Sequence, residues 1–146
     1  MKVDSKSFVA GQRIDKRYTC DGQNISPQLY WDKVEGARSY ALIVEDPDAP
    51  MGTFVHWVIY NIKTNELPEG VRADSQIGVQ GLNDFGRIGY GGPCPPRGHG
   101  PHRYFFRVYA LSEELPVKKN VTAESLRKMM EGKIIDSGET YCLYSR

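Results

Sequence analysis

The residues best equipped for chemistry in this sequence are histidines and aspartates in places that a purely structural pattern would fill differently. His56 interrupts an otherwise apolar run, Phe54–Ile62 (FVHWVIYNI), and a buried polar group costs free energy unless it finds a partner. Just upstream lies Asp46-Pro47-Asp48-Ala49-Pro50, followed by the short connection Met51-Gly52-Thr53. If the flanking segments pair as adjacent antiparallel strands, Asp46 or Asp48 comes close to His56. A carboxylate there can fix the tautomer of the imidazole and hold its ring. Each feature has an ordinary reading as well. A lone core histidine is often a satisfied structural residue, and Asp and Pro are common turn formers.

A second segment, Gly89–Tyr104 (GYGGPCPPRGHGPHRY), is dominated by glycine and proline, which rules out a regular strand or helix. The prolines stiffen it, and the glycines allow backbone N–H groups to face a ligand closely. A stiff loop loses little entropy on binding, and loops of this kind tend to be functional. At its end His102 and Tyr104 stand two positions apart, on one face of the strand that follows. Both side chains can donate hydrogen bonds to phosphate or carboxylate oxygens. Two enzymatic readings are weaker. His56, His99 and His102 with Asp46 are zinc-compatible types, but His99 lies within the glycine loop and convergence is not expected. Cys94 could act as a nucleophile, yet the prolines around it leave few N–H groups for an oxyanion hole. The chain reads as non-enzymatic, without catalytic residues, metal or cofactor.

Short apolar runs separated by dense punctuation must position these residues: the sequence holds 15 Gly and 9 Pro, which reads as strands joined by structured loops. Three strands are expected at Ser39–Glu45, Phe54–Ile62 and His102–Leu111. Phe54–Ile62 is apolar on both alternating faces, as in a central strand covered on both sides, with His56 sharing a face with Phe54, Val58 and Tyr60. On the third strand His102, Tyr104, Phe106, Val108 and Ala110 share one face. Weaker strands are expected near Leu29–Trp31, Gln76–Val79 and Glu139–Tyr144. One helix should start at Thr122 as N-cap, with Glu124 in its first turn and Val121 and Leu126 placed as a hydrophobic staple, and stop near Gly132. Strands first and a helix late favour a mainly β, largely antiparallel fold.

The length, 146 residues, suits a single domain, and the composition is that of a globular protein, 40% hydrophobic and 25% charged. Lys plus Arg (19) against Asp plus Glu (18) leaves a net charge of +1. That balance gives no pull toward nucleic acid or an acidic membrane, and no basic stripe or recognition motif is present. The first residues, MKVDSK, lead into no apolar stretch, and no run approaches the ~20 apolar residues of a membrane helix; a cytoplasmic location is the expectation. Three cysteines, Cys20, Cys94 and Cys142, argue against a disulfide framework. They read most simply as partly buried bystanders, with a single bridge left open.

Five stretches resemble the bacterial and archaeal branch of the phosphatidylethanolamine-binding (Raf-kinase-inhibitor-like) family: Thr19–Trp31 (TCDGQNISPQLYW), Glu45–Pro50 (EDPDAP), Phe54–Ile62, Gly81–Tyr104 and Phe105–Leu111. The DPDAP turn, the histidine of the next strand and the GPxPP…HRY loop form a specific triple. The resemblance implies a β-sandwich-like fold with a Greek-key sheet and one C-terminal helix. It implies a small anion pocket lined by Asp46, His56, the wall Cys94, Pro95 and Pro96, and His102 with Tyr104, with Asp48 bracing the turn. The C-terminal aromatic that closes the pocket in relatives is best matched by Tyr141, less well by Tyr144. Cys20 and Cys94 are expected to be neighbours and open to bridging. The implied partner is a small anion or phospholipid head group bound without turnover. A protease or kinase inhibited through a surface loop is the alternative. Either a monomer or a homodimer fits.

Overall fold

The computed structural model describes residues 1–146. Its strands are β1 (Val3–Asp4), β2 (Leu29–Trp31), β3 (Ser39–Asp46), β4 (Phe54–Ile62), β5 (Glu66–Leu67), β6 (Val79–Gln80), β7 (His102–Leu111) and β8 (Ile134–Tyr144). Helix α1 (Ala123–Met130) stands between β7 and β8, and a 3₁₀ turn spans Lys16–Tyr18. The most apolar runs form the strands expected of them. Two weaker segments differ. Gln76–Val79 contributes only its last residue to β6, because Gly78 adopts a left-handed φ of 74° and passes so close to β4 that a Cβ there would lie 2.6 Å from the Tyr60 carbonyl oxygen. β8 begins at Ile134 rather than Glu139. Its first half exposes most of its side chains and is held by the backbone ladder to β7, in which Ser137 faces Tyr109 and Asp136 faces Ala110.

The strands form two antiparallel sheets, ordered β1-β2-β5 and β6-β4-β3-β7-β8. After a long connection β7 returns to lie beside β3, not β4, as in a Greek key. β3 is buried along its whole length, so both faces of the large sheet are covered. One face carries Tyr40, Leu42 and Val44 with Trp57, Ile59, Phe106 and Val108, packed against Leu29, Trp31 and Leu67 of the small sheet. The other carries Ala41, Ile43, Val58 and Tyr60, packed against Leu126 and Met130 of α1. The helix starts at a capping box in which the Thr122 hydroxyl accepts from the Ser125 N–H and the Ser125 hydroxyl accepts from the Thr122 N–H. Val121 and Leu126, the staple pair, are both buried.

One irregularity in β4 decides the site. Val44 of β3 lies opposite Trp57, while the next residue, Glu45, lies opposite Val55. His56 is therefore the extra residue of a β-bulge. Plain alternation would place its ring with Val58 and Tyr60 on the helix side. Instead Val55 and Val58 pack toward the helix, Trp57 packs into the core between the sheets, and the His56 ring packs edge-on against Tyr104, with centroids 5.2 Å apart.

Candidate functional site

The site forms where β3 ends, because three chain segments converge there. Asp46, the last residue of β3, lies one step beyond the Glu45–Phe105 pair with β7 and opposite Phe54 of β4. Asp46 is 3% exposed, and each of its carboxylate oxygens accepts one hydrogen bond. Oδ2 accepts from His102 Nδ1 at 2.7 Å, and Oδ1 accepts from the Asp48 N–H at 2.7 Å. The imidazole that Asp46 holds is thus His102, not the sequence-adjacent His56. Asp48 turns outward and takes three hydrogen bonds from Arg103, from its N–H (2.9 Å), Nε (2.9 Å) and Nη2 (2.8 Å). This fork fastens the Asp46–Pro50 turn to β7. The Arg103 guanidinium holds the Asp48 carboxyl down at about 2.

His56 finds its partner in the glycine loop, where its Nδ1 donates to the Gly91 carbonyl oxygen at 2.7 Å. Burial pushes its pKa down, opposed by that carbonyl and by the Asp46 charge. Burial pushes the Tyr104 hydroxyl up, and the nearby Asp46 carboxylate adds to the effect, so Tyr104 keeps its proton. His99, which the loop's composition made an improbable neighbour, does converge: its Nδ1 lies 2.6 Å from His102 Nε2. Asp46, His102 and the exposed His99 form one hydrogen-bonded row from the floor of the site to the surface.

The loop's glycines serve the protein rather than a ligand. Gly91 N–H donates to the His56 carbonyl (3.0 Å) and Gly98 N–H to that of Arg146 (3.0 Å). Gly92 N–H donates to Asn24 Oδ1 (2.8 Å), and a Cβ at Gly92 would lie 2.2 Å from the Tyr18 carbonyl oxygen. The expectation of ligand-facing glycine N–H groups does not hold at these positions, because the close approach is to the segment around residues 18–24. Nor are the cysteines all bystanders. Cys94 is bridged to Cys20, 74 residues away, while Cys142 is free and buried.

These elements enclose a hollow of ≈ 200 Å³. Asp46, His56, His102 and Tyr104 supply its polar atoms, and Cys94, Pro95 and Pro96 form one wall. Ala49, Pro50, Phe54 and Phe85 complete the lining. The sequence reading passed over these four. Phe85 falls within the family-like stretch Gly81–Tyr104, but its type alone gives no sign of a site. Tyr141 is absent from the lining. It pairs with Phe105 across β7 and β8 and packs tilted against that ring, centroids 5.1 Å apart, on the sheet face opposite Tyr104. Tyr144 is on the hollow's side of the sheet, opposite His102, but its hydroxyl donates to Asp21 (2.6 Å) and it does not line the hollow either.

Comparison with known proteins agrees with this architecture. A family model described as phosphatidylethanolamine-binding protein matches residues 4–145. A UPF0098 protein of Aquifex aeolicus is 51% identical over 100% of this chain and 89% of its own length. Among solved structures, a putative phosphatidylethanolamine-binding protein homolog from Chlamydia trachomatis superposes with a TM-score of 0.91 at 42% identity, covering 99% of this chain and 97% of that one. E. coli YbcL, described as a new member of the mammalian family, gives a TM-score of 0.92 at 36% identity, covering 99% and 98%. With its fold, its motif order and these relatives in agreement, the chain belongs to the phosphatidylethanolamine-binding protein family.

Proposed function

We propose that the hollow binds a small ligand bearing an acidic oxygen group, in the class of phosphate esters and zwitterionic head groups such as phosphoethanolamine, and that it does so without turnover. The observation that carries this reading is the convergence of Asp46, His56, His102 and Tyr104, all nearly inaccessible to solvent, around one hollow of ≈ 200 Å³. That volume falls below the ~300 Å³ at which drug-sized sites begin. It suits a head group and leaves acyl chains outside. Asp46 repels a bare phosphate but accepts from a ligand ammonium, so a zwitterion satisfies both ends of the site.

A catalytic reading finds less support. The Cys94 sulfur is committed to the bridge with Cys20 and offers no thiolate. Burial keeps the Tyr104 hydroxyl protonated, which makes it a donor and not a nucleophile. The test is isothermal titration of the folded protein with phosphoethanolamine and with inorganic phosphate. Binding is expected for both, tighter for the zwitterion. A folded protein that gives no heat with either overturns the reading.

A further inference from the structure

The hydrogen bonds already made around the hollow restrict what can still be made. The Gly91 carbonyl can only accept, so His56 Nδ1 carries the hydrogen of that 2.7 Å contact. The other ring nitrogen, Nε2, makes no hydrogen bond within the protein and is left for whatever occupies the hollow that His56 lines. In the neutral imidazole it is a lone pair, an acceptor. Asp46 presents carboxylate oxygens only. Both nitrogens of His102 are spoken for, one by Asp46 and one by His99. Of the polar side chains lining the hollow, this leaves the Tyr104 hydroxyl, which lies beside the Asp46 carboxylate, as the one donor that can turn to a ligand. A ligand that can only accept therefore meets one donor, one lone pair and one carboxylate, a poor fit for an anion.

We propose that the site takes its acidic ligand together with one proton, held between a ligand oxygen and His56 Nε2, so that His56 makes binding proton-linked. This deepens the head-group reading and rests on it. Written either way the balance is the same: a ligand P–O–H donates to neutral Nε2, or an imidazolium Nε2–H donates to the ligand oxyanion. In both, the complex holds one proton more than the neutral site and the deprotonated ligand, and that proton comes from solvent. Tyr104 O–H donates to a second ligand oxygen. A ligand ammonium, where there is one, lies toward Asp46.

The groups that face His56 set the pH range. From β3, Asp46 favours the protonated ring, as does Asp84 from the loop after β6, together with the Gly91 and Gly92 carbonyls. Tyr104 of β7 stays uncharged, and the rings of Phe54 and Phe85 lie 4.9 and 5.4 Å from that of His56. Burial outweighs the favourable charges and holds the free site neutral. The proton must therefore be taken up on binding, above the ordinary imidazole range.

Acetate is the cleanest probe, because it does not itself titrate near neutrality. Isothermal titration in two buffers of different ionisation enthalpy should show uptake of close to one proton per acetate bound. Between about pH 7 and about pH 9 the affinity should fall roughly tenfold per pH unit. Inorganic phosphate should fall with pH in the same sense. A His56→Gln variant, whose amide can donate without titrating, should bind with a flat pH profile. Binding of acetate and phosphate with no proton uptake and no pH slope in the wild-type protein overturns the inference and leaves the head-group reading standing. Absence of binding of acetate, phosphate and phosphoethanolamine alike at every pH from about 5 to about 9 removes that reading and the inference with it.

Discussion

Glu45 and Asp46 are consecutive, both buried, and face opposite sides of one strand. Their surroundings differ in kind. Glu45 points toward the helix and meets two guanidiniums, Arg107 Nε at 3.0 Å and Arg127 Nη2 at 2.6 Å. Arginine is always charged, so this clamp ties β3, β7 and α1 together through permanent cations. Asp46 points toward the small sheet and meets His102 at 2.7 Å, an imidazole linked onward to His99, with the hollow alongside. One strand end thus builds a fixed joint on one face and a tunable site on the other. The contrast lies in the partner: a carboxylate beside a permanent cation holds structure, while one beside titratable groups and open volume can hold a ligand.

The largest effect tests how the open side is kept in shape. The Cys20–Cys94 bridge closes a loop across 74 residues, which in the chain-entropy account stabilises the fold by about 4 kcal/mol. Both cysteines are exposed, so a mild reductant should reach them. Reduction, or Cys20→Ser with Cys94→Ser, should lower the denaturant midpoint accordingly and weaken phosphoethanolamine binding, because Cys94 belongs to the wall. An unchanged affinity would mean that the wall needs no covalent tie.

The next comparison is between the two carboxylates themselves. Glu45→Gln should cost about 2 kcal/mol, read from chemical denaturation, and leave ligand affinity unaltered. Asp46→Asn should cost about 1 kcal/mol, since the single amide oxygen can still accept from His102 or from the Asp48 N–H but not from both. It should weaken phosphoethanolamine and strengthen inorganic phosphate, because the same charge attracts the ammonium and repels the anion. Equal stability losses with no change in ligand preference would erase the distinction.

The smallest effect concerns the turn beside the hollow. The folded pKa of Asp48, about 2, lies below its ordinary value of 3.8. Stability from this pair is therefore present above pH ~4 and lost as pH falls toward ~2. The Asp48 side chain is 28% exposed, so screening leaves about 1 kcal/mol. Acid titrations of the wild type and Asp48→Asn should differ by that amount near neutrality and converge below pH ~2. Parallel curves throughout would remove Asp48 as the turn's brace.

Much of this was legible in the sequence because it is local. The apolar runs of β4 and β7 carry enough hydrophobic surface to mark their own limits, and the capping residues of α1 lie within one turn of each other. The motif order brought Asp46, His56, His102 and Tyr104 together as a set. What escaped depends on register between distant segments. Asp46 finds His102 and not His56 because β7, some 56 residues away, lies on the other flank of β3. Tyr141 is turned from the hollow because its pairing with Phe105 fixes its face, and a residue one position along would have the opposite face. His99 reaches His102 only because the loop folds back, which glycine content permits without specifying.

The bulge at His56 has an evolutionary consequence. Motif letters are compared position by position, but the face on which this imidazole emerges depends on how many residues lie between Trp57 and the DPDAP turn. A single-residue deletion ahead of Trp57 could restore regular pairing and carry the ring beneath the helix while every signature residue stayed in place. Descendants could lose the site by a change of length and still look intact to any profile that scores identity alone.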